Sequence, residues 1–347
     1  MDEQQQIRRI WYTRGPGPSP LGLAAQLGWF IDEFQRDGIG VYTLQDTPHQ
    51  VLRASHYDHR LVHSFRQGGS GPAIWAHACG RDTRVIGLNR VQEFQAIITL
   101  PERRLHSLEQ LRGRRFALPR QSMLFDLGRA AALRGILSAL DYVGLGEHDV
   151  ELVDVDEDIP VDLLDASAER VPTLQQTGAV RSLLNGEVDA IFVRGAQGVR
   201  TLFDIKGRLL LDLASHPDPL LRSNNGNPRP ITVDMDLLKN RPDIVVRFLS
   251  RVVAVGNWSS IHPAETIRYL ARETRTSERH VRVGYGHELH NQQFTSLDEA
   301  SIVGLKSYKD KDFLLARGFL PRDIDLNEWV DPRPLEHLLA SARVMYS

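Results

Sequence analysis

Through roughly its first 215 residues the chain alternates short β-like runs with longer helix-like ones, and this alternation limits the fold more than any other feature. Ile7–Tyr12 and Gly40–Leu44 read as strands around an amphipathic helix, Leu21–Asp37. Arg84–Leu88, Gln95–Leu100, Arg115–Leu118, Val150–Val155 and Ala190–Val193 continue the strand series. Between them lie a short helix, Leu108–Arg112, a long one, Leu124–Val143, and Ala179–Asn185 closed by Gly186. Strand–helix alternation of this kind predicts α/β architecture with parallel sheets covered by helices on both faces. From Pro242 onward the pattern is helical: Ile244–Ser260, Pro263–Arg272, Ser277–Val283, Asp298–Arg317 and Pro334–Met345.

A chain of 347 residues is long enough for two cores. Polar stretches at Leu100–Ser107 and His216–Pro230 are the natural linkers, which predicts a discontinuous first lobe (residues 1–99 and 226–347) and an inserted second lobe (residues 100–225). Net charge is −2, from 42 basic and 44 acidic residues, so no basic surface calls for nucleic acid. The single cysteine, Cys79, excludes an internal disulfide and a multi-cysteine metal cluster. Met1–Ile10 is polar with no signal-peptide-like stretch behind it, and no run has the apolar length of a membrane span. The expectation is a cytoplasmic protein, or a periplasmic one if the numbering is that of a mature chain.

Three strand-to-helix junctions have the composition of anion cradles. They are Gly15-Pro16-Gly17-Pro18-Ser19-Pro20, Arg66-Gln67-Gly68-Gly69-Ser70-Gly71-Pro72, and Pro119-Arg120-Gln121-Ser122. Glycines let the backbone approach a ligand, helix N-termini favour negative charge, and Arg66 adds a fork of donors suited to a carboxylate or sulfur oxyanion. Each junction taken alone also reads as a tight turn with an N-cap. The expected ligand contacts are Gly15, Ser19, Arg66, Gly68, Gly69, Ser70, Gln121 and Ser122.

His56, His59 and His63 recur at helical spacing; a proton-transfer role for one of them, His56, is the stronger reading than a metal site. His287 and His290 are three residues apart, not the four a zincin helix needs. Cys79, in an apolar run, reads by default as a buried thiol, with a nucleophile as the alternative. Trp11, Tyr12, Trp29, Tyr57 and Trp75 fit either core packing or an aromatic pocket wall. No GxSxG elbow, P-loop or dinucleotide fingerprint is present, and neither cofactor nor metal is expected.

These residues resemble the sulfonate/thiamine-precursor group of periplasmic-type binding proteins, and within it the 2'-hydroxybiphenyl-2-sulfinate desulfinases. The similarity includes Gly28-Trp29-Phe30, Leu108 to Arg115, Asp149 to Val153, Val188-Asp189-Ala190 and Trp329. The sharper match is His56 followed ten residues later by Arg66-x-Gly68-Gly69-x-x-Pro72. The resemblance implies a two-lobed, type II periplasmic-binding-protein-like fold with the ligand cleft between the lobes. It implies an active-site histidine at His56, an oxyanion-binding arginine at Arg66 and a backbone donor at Gly69. The desulfinase branch carries an essential cysteine in its first loop, and counting back from Gly28-Trp29 puts Gly15 there. The resemblance therefore implies a small organic anion as partner and two outcomes. One is loss of an acidic group, SO2 or CO2, from an aromatic anion with His56 as proton donor. The other is a non-catalytic solute-binding protein for a transporter, or an intracellular sensor.

Overall fold

The computed structural model describes residues 7–157, 177–218, 220–309 and 313–345. Its strands are β1 (Arg9–Arg14), β2 (Gly40–Thr43), β3 (Ser64–Gln67), β4 (Thr83–Asn89), β5 (Gln95–Thr99), β6 (Arg115–Arg120), β7 (Glu151–Asp156), β8 (Ile191–Arg194), β9 (Arg208–Asp212) and β10 (Arg229–Asp234). They form one sheet in the order β2-β1-β3-β10-β4 and a second group, β8-β5-β9 with β6-β7. A bridge between Phe116 and Ala190 joins the two parts of that group. The fold is two-lobed α/β, as the alternation predicts.

The sheets are mixed, not parallel. β1 runs parallel to β2 and β3, whereas β10 is antiparallel to β3 and β4. β5 is antiparallel to β8 and β9. The reason is topological: β5 and β10 are the strands that follow the two crossings between sheets, and a chain crossing a boundary enters from the opposite end.

Helix boundaries depart from the expected ones where local chemistry intervenes. The predicted Leu21–Asp37 helix is two, Pro20–Gln26 and Trp29–Phe34, because Gly28 sits at φ 78 and breaks the turn. The long helix begins at Leu127, three residues late, because the Asp126 carboxylate accepts from the Arg129 N–H as its N-cap. Gly178–Asn185 ends on Gly186 in the left-handed region, as read from sequence. The expected Asp298–Arg317 helix spans Glu299–Lys309, and residues 310–312 lie outside the described residues.

The helix Pro242–Ile261 is long and apolar enough to cross a membrane by composition. In this fold it is a core helix: Phe248, Leu249 and Val252 are fully buried. Phe248 lies between the rings of Phe30 and Phe65, 4.1 and 3.8 Å away and nearly parallel to both. That stack clamps β3 at the residue before Arg66, so its packing fixes where the guanidinium enters the lobe. Removing it should be costly. Phe248→Ala is expected to destabilise the protein by about 3–5 kcal/mol, measured as a lower urea midpoint.

Candidate functional site

The parallel pairing of β1 with β3 sets Thr13 beside Arg66 and Arg14 beside Gln67, so both strands release their loops at the same edge. The Gly15 N–H donates to the Gln67 carbonyl at 2.9 Å and locks the two loops together. A side chain would be crowded at Gly68, while Gly15 leaves room for ordinary contact. A Cβ on Gly15 would lie 3.4 Å from Gly68 Cα and 3.8 Å from both Gly69 N and His56 Cε1. One on Gly68 would lie 3.3 Å from Arg66 Nη2, Gly15 N and His56 Cε1. The structure thus brings His56, Arg66, Gly15, Gly68 and Gly69 together.

Arg66 is 1 % exposed. Its Nε donates to the His56 carbonyl at 2.6 Å and its Nη2 to the Gly69 carbonyl at 3.1 Å. Nη1 is buried without a partner, and among the described residues no carboxylate pairs with this guanidinium. Burial draws the Arg66 pKa down to about 10. A lone buried cation costs several kcal/mol, and an anion placed against it would offset that cost.

His56 occupies the one-turn helix Ser55–Asp58, with Nδ1 2.9 Å from the Thr13 hydroxyl. The Gln45 amide donates to that hydroxyl at 3.4 Å and to the Arg14 carbonyl at 2.7 Å. With Gln45 donating to it, the Thr13 hydroxyl has its proton to give to Nδ1, and in that tautomer the neutral ring carries its proton on Nε2. Burial first, then Arg66, then His59 hold the His56 pKa well below the ordinary imidazole value. His59 closes the same turn at φ 50, with Nε2 2.8 Å from the Thr232 hydroxyl and Nδ1 unpartnered. Burial and then Arg66 lower its pKa to about 3. The result is one buried cation flanked by two neutral imidazoles.

Ser70, Ser19, Gln121 and Ser122 stand differently from expectation. The Ser70 N–H donates to the Asn225 carbonyl at 2.8 Å, and the Gly71 N–H donates to Asn225 Oδ1 at 2.9 Å. Asn225 thus caps the helix Ser70–Ala78, and the Gly68 and Gly69 N–H groups of this junction have no acceptor among the described residues. Ser19 is a buried N-cap that accepts from the Gly22 N–H at 3.1 Å. Its neighbours there are Arg14 and Glu273, ion-paired to each other at 2.8 Å. The third junction is not a helix start at all. The Gln121 N–H donates to Asp126 Oδ2 at 2.9 Å, and Ser122 is exposed on the intervening loop. The chain's own carboxylate has taken that helix end.

The remaining candidates separate from the site. Cys79 is exposed, not buried, because it follows the last turn of Ser70–Ala78. Ten residues of helix put it about 15 Å from Gly69. Partial burial raises its pKa, which disfavours a thiolate. His63 leaves the histidine series to pair with Asp236 at 3.0 Å, and no group of three potential metal ligands exists among the described residues. Trp11 and Tyr12 do wall a cavity of about 410 Å³, with Phe30, Tyr42 and His49, beside β1 and β2. Trp29 packs edge-on to Trp258, and Tyr57 stands edge-on to His56 at 5.0 Å.

The buried histidines generate a pH signature. Their folded pKa values lie below the unfolded value near 6.5, so the stability they contribute is complete above pH ~6.5 and is lost as pH falls towards about 3. Each contributes a slope of up to about 1.4 kcal/mol per pH unit in that window. Melting temperature is expected to fall on acidification below 6.5, and more gently in a His56→Asn/His59→Asn variant.

Comparison with known proteins bears on the fold. No family model matches the chain. The 2'-hydroxybiphenyl-2-sulfinate desulfinase of Rhodococcus erythropolis is 25 % identical over 360 residues, covering 95 % of this chain and 93 % of that protein. A crystal structure of a cysteine-to-serine variant of the desulfinase DszB, in complex with biphenyl-2-sulfinic acid, aligns with TM-score 0.74 and 23 % identity over 96 % of this chain and all of that one. The periplasmic aliphatic sulphonate binding protein SsuA of Escherichia coli aligns with TM-score 0.64 and 14 % identity, covering 94 % of this chain and 92 % of that one, a likeness of fold. The chain is therefore related in sequence and structure to the sulfinate desulfinases, and it shares with them and with the sulfonate-binding proteins a periplasmic-binding-protein-like fold.

Proposed function

We propose that this protein binds a small aromatic oxyanion, a sulfinate, sulfonate or carboxylate, on Arg66 between the Gly15 and Gly68-Gly69 turns. One observation carries the proposal: a guanidinium 1 % exposed, with Nη1 unpartnered and no carboxylate beside it. The Gly69 N–H and the Nε2–H of neutral His56 are further donors at the same edge. The names of the relatives, a sulfinate desulfinase and a sulfonate-binding protein, support the same ligand class.

Beyond binding, the site supports loss of the acidic group with His56 as proton donor. Burial first and the Arg66 charge second depress the His56 pKa; an anion on Arg66 offsets the second, which favours a second proton on the imidazole relative to the empty site. The C–S or C–C bond then breaks with its electron pair kept on the ring carbon, which takes that proton as SO2 or CO2 departs. Water restores the imidazole proton. No thiol takes part, since Gly15 has no side chain and Cys79 lies at the far end of its helix.

A second reading has its own observation. Counting back from Gly28-Trp29, the residue at the place of the desulfinase branch's first-loop cysteine is Gly15, which brings no thiol to the turn. That favours reversible capture without covalent chemistry, as in a solute-binding protein serving a transporter or a sensor.

Thermal shift with aryl sulfinates, sulfonates, hydroxybenzoates and phthalates tests the binding claim. A ligand at 100 times its Kd stabilises by about 2.7 kcal/mol. Arg66→Ala is expected to weaken binding by about 10- to 100-fold, with Arg66→Lys retaining part of it. No shift with any of these anions would mean that the Arg66 turn is structural. For a ligand so identified, product appearing by mass spectrometry and falling about 100-fold or more in His56→Ala supports the lyase reading. Binding with no product supports the second. Cys79→Ser is expected to leave affinity within twofold of wild type.

A further inference from the structure

Two loops that form the Arg66 turn go on, within two residues, to meet a second charged cluster. Gly15 faces Gly68 and His56; two residues later Gly17 lies against Arg229, whose guanidinium would be 2.6–2.9 Å from a Cβ there. Asn225 packs on Gly69; one residue later Gly226 lies against Glu93 and Arg194, whose Oε2 and Nη1 would be 2.0 and 2.8 Å from a Cβ. Arg194 ends β8 in the second sheet group and Arg229 begins β10 in the first, so the cluster bridges the lobes.

Its charges are unbalanced and loosely paired. Arg194 Nη1 and Arg229 Nη2 both approach the same oxygen, Glu93 Oε1, at 3.5 Å. Charge-assisted hydrogen bonds run at about 2.7–2.9 Å. Glu93 Oε2 and Arg229 Nε are buried without partners, and among the described residues no other carboxylate pairs with either arginine. Two guanidiniums thus share half of one carboxylate.

We propose that Arg194 and Arg229, oriented by Glu93, form a second oxyanion subsite of the same cleft, so that the protein selects compact organic dianions over the matching monoanions. The inference rests on the reading that Arg66 holds the first oxyanion. A second acidic group on the ligand would neutralise the cluster's excess positive charge and tie the two lobes together.

Isothermal titration of the full chain with benzoate against phthalate, and benzenesulfonate against 2-sulfobenzoate, tests this in wild type, Arg66→Ala, Arg194→Gln and Arg229→Gln. Wild type is expected to bind each dianion at least tenfold more tightly than its monoanion. Arg194→Gln is expected to bring that ratio to within twofold of unity. Arg229 is buried and its variant is at risk of misfolding; Arg194, with a side chain 29 % exposed, keeps the test decisive. A wild-type ratio near unity, or one that survives in Arg194→Gln, would overturn the second subsite while Arg66-dependent monoanion binding leaves the first reading standing. Failure of all four anions to bind, or binding indifferent to Arg66→Ala, overturns both.

Discussion

The buried guanidinium of Arg66 sets the terms for the structure around it. A cation removed from water needs acceptors, and here it has two backbone carbonyls, His56 and Gly69, in place of a carboxylate. Both carbonyls lie close in sequence, so the arginine holds its own loop in shape. Burial, with the Arg66 charge second, keeps the two neighbouring imidazoles neutral. Gly68 is the geometric counterpart, since a Cβ there would crowd Arg66, Gly15 and His56 at 3.3 Å.

Helix dipoles contribute less to this arrangement than glycine-rich junctions suggest. All three junctions lie near helices, yet each helix end is satisfied by the chain: Ser19 and Gln67 cap the first, Asn225 the second, Asp126 the third. Positive charge at the turn therefore resides on a side chain, Arg66 on β3, rather than on a helix end. Recognition by arginine forks is more directional than recognition by a dipole, because each fork fixes two or more donor vectors.

Much of this was legible in the sequence, and what was not has a common cause. Strand positions such as Gln95–Thr99 and Arg115–Arg120 follow from local patterning, and the Gly186 cap follows from a single residue type. His56, Arg66 and Gly69 are candidates through spacing shared with a known family, which stands in for distance, and the structure brings them together. Asn225, Thr13 and Gln45 went unread because their work is done across long separations. Asn225 reaches the Ser70–Ala78 helix from 154 residues away, and Thr13 meets His56 across 43. A Pro-, Asn- and Gly-rich stretch reads as a linker whether or not its side chains cap a helix. Strand direction was missed for the same reason: composition does not show from which end a returning chain enters a sheet.

Asn225 lies on the return crossing from the second sheet group to the first, yet its carbonyl and side chain finish the helix that starts at the Gly69 turn. The first lobe is consequently not a self-contained module. Excising the second lobe together with this crossing would strip a cap worth about 1 kcal/mol from that helix, and would leave the Ser70 and Gly71 N–H groups pointing into the void. The two lobes share a structural element as well as a cleft, so insertion, permutation or domain exchange in this lineage has to carry the crossing with the first lobe.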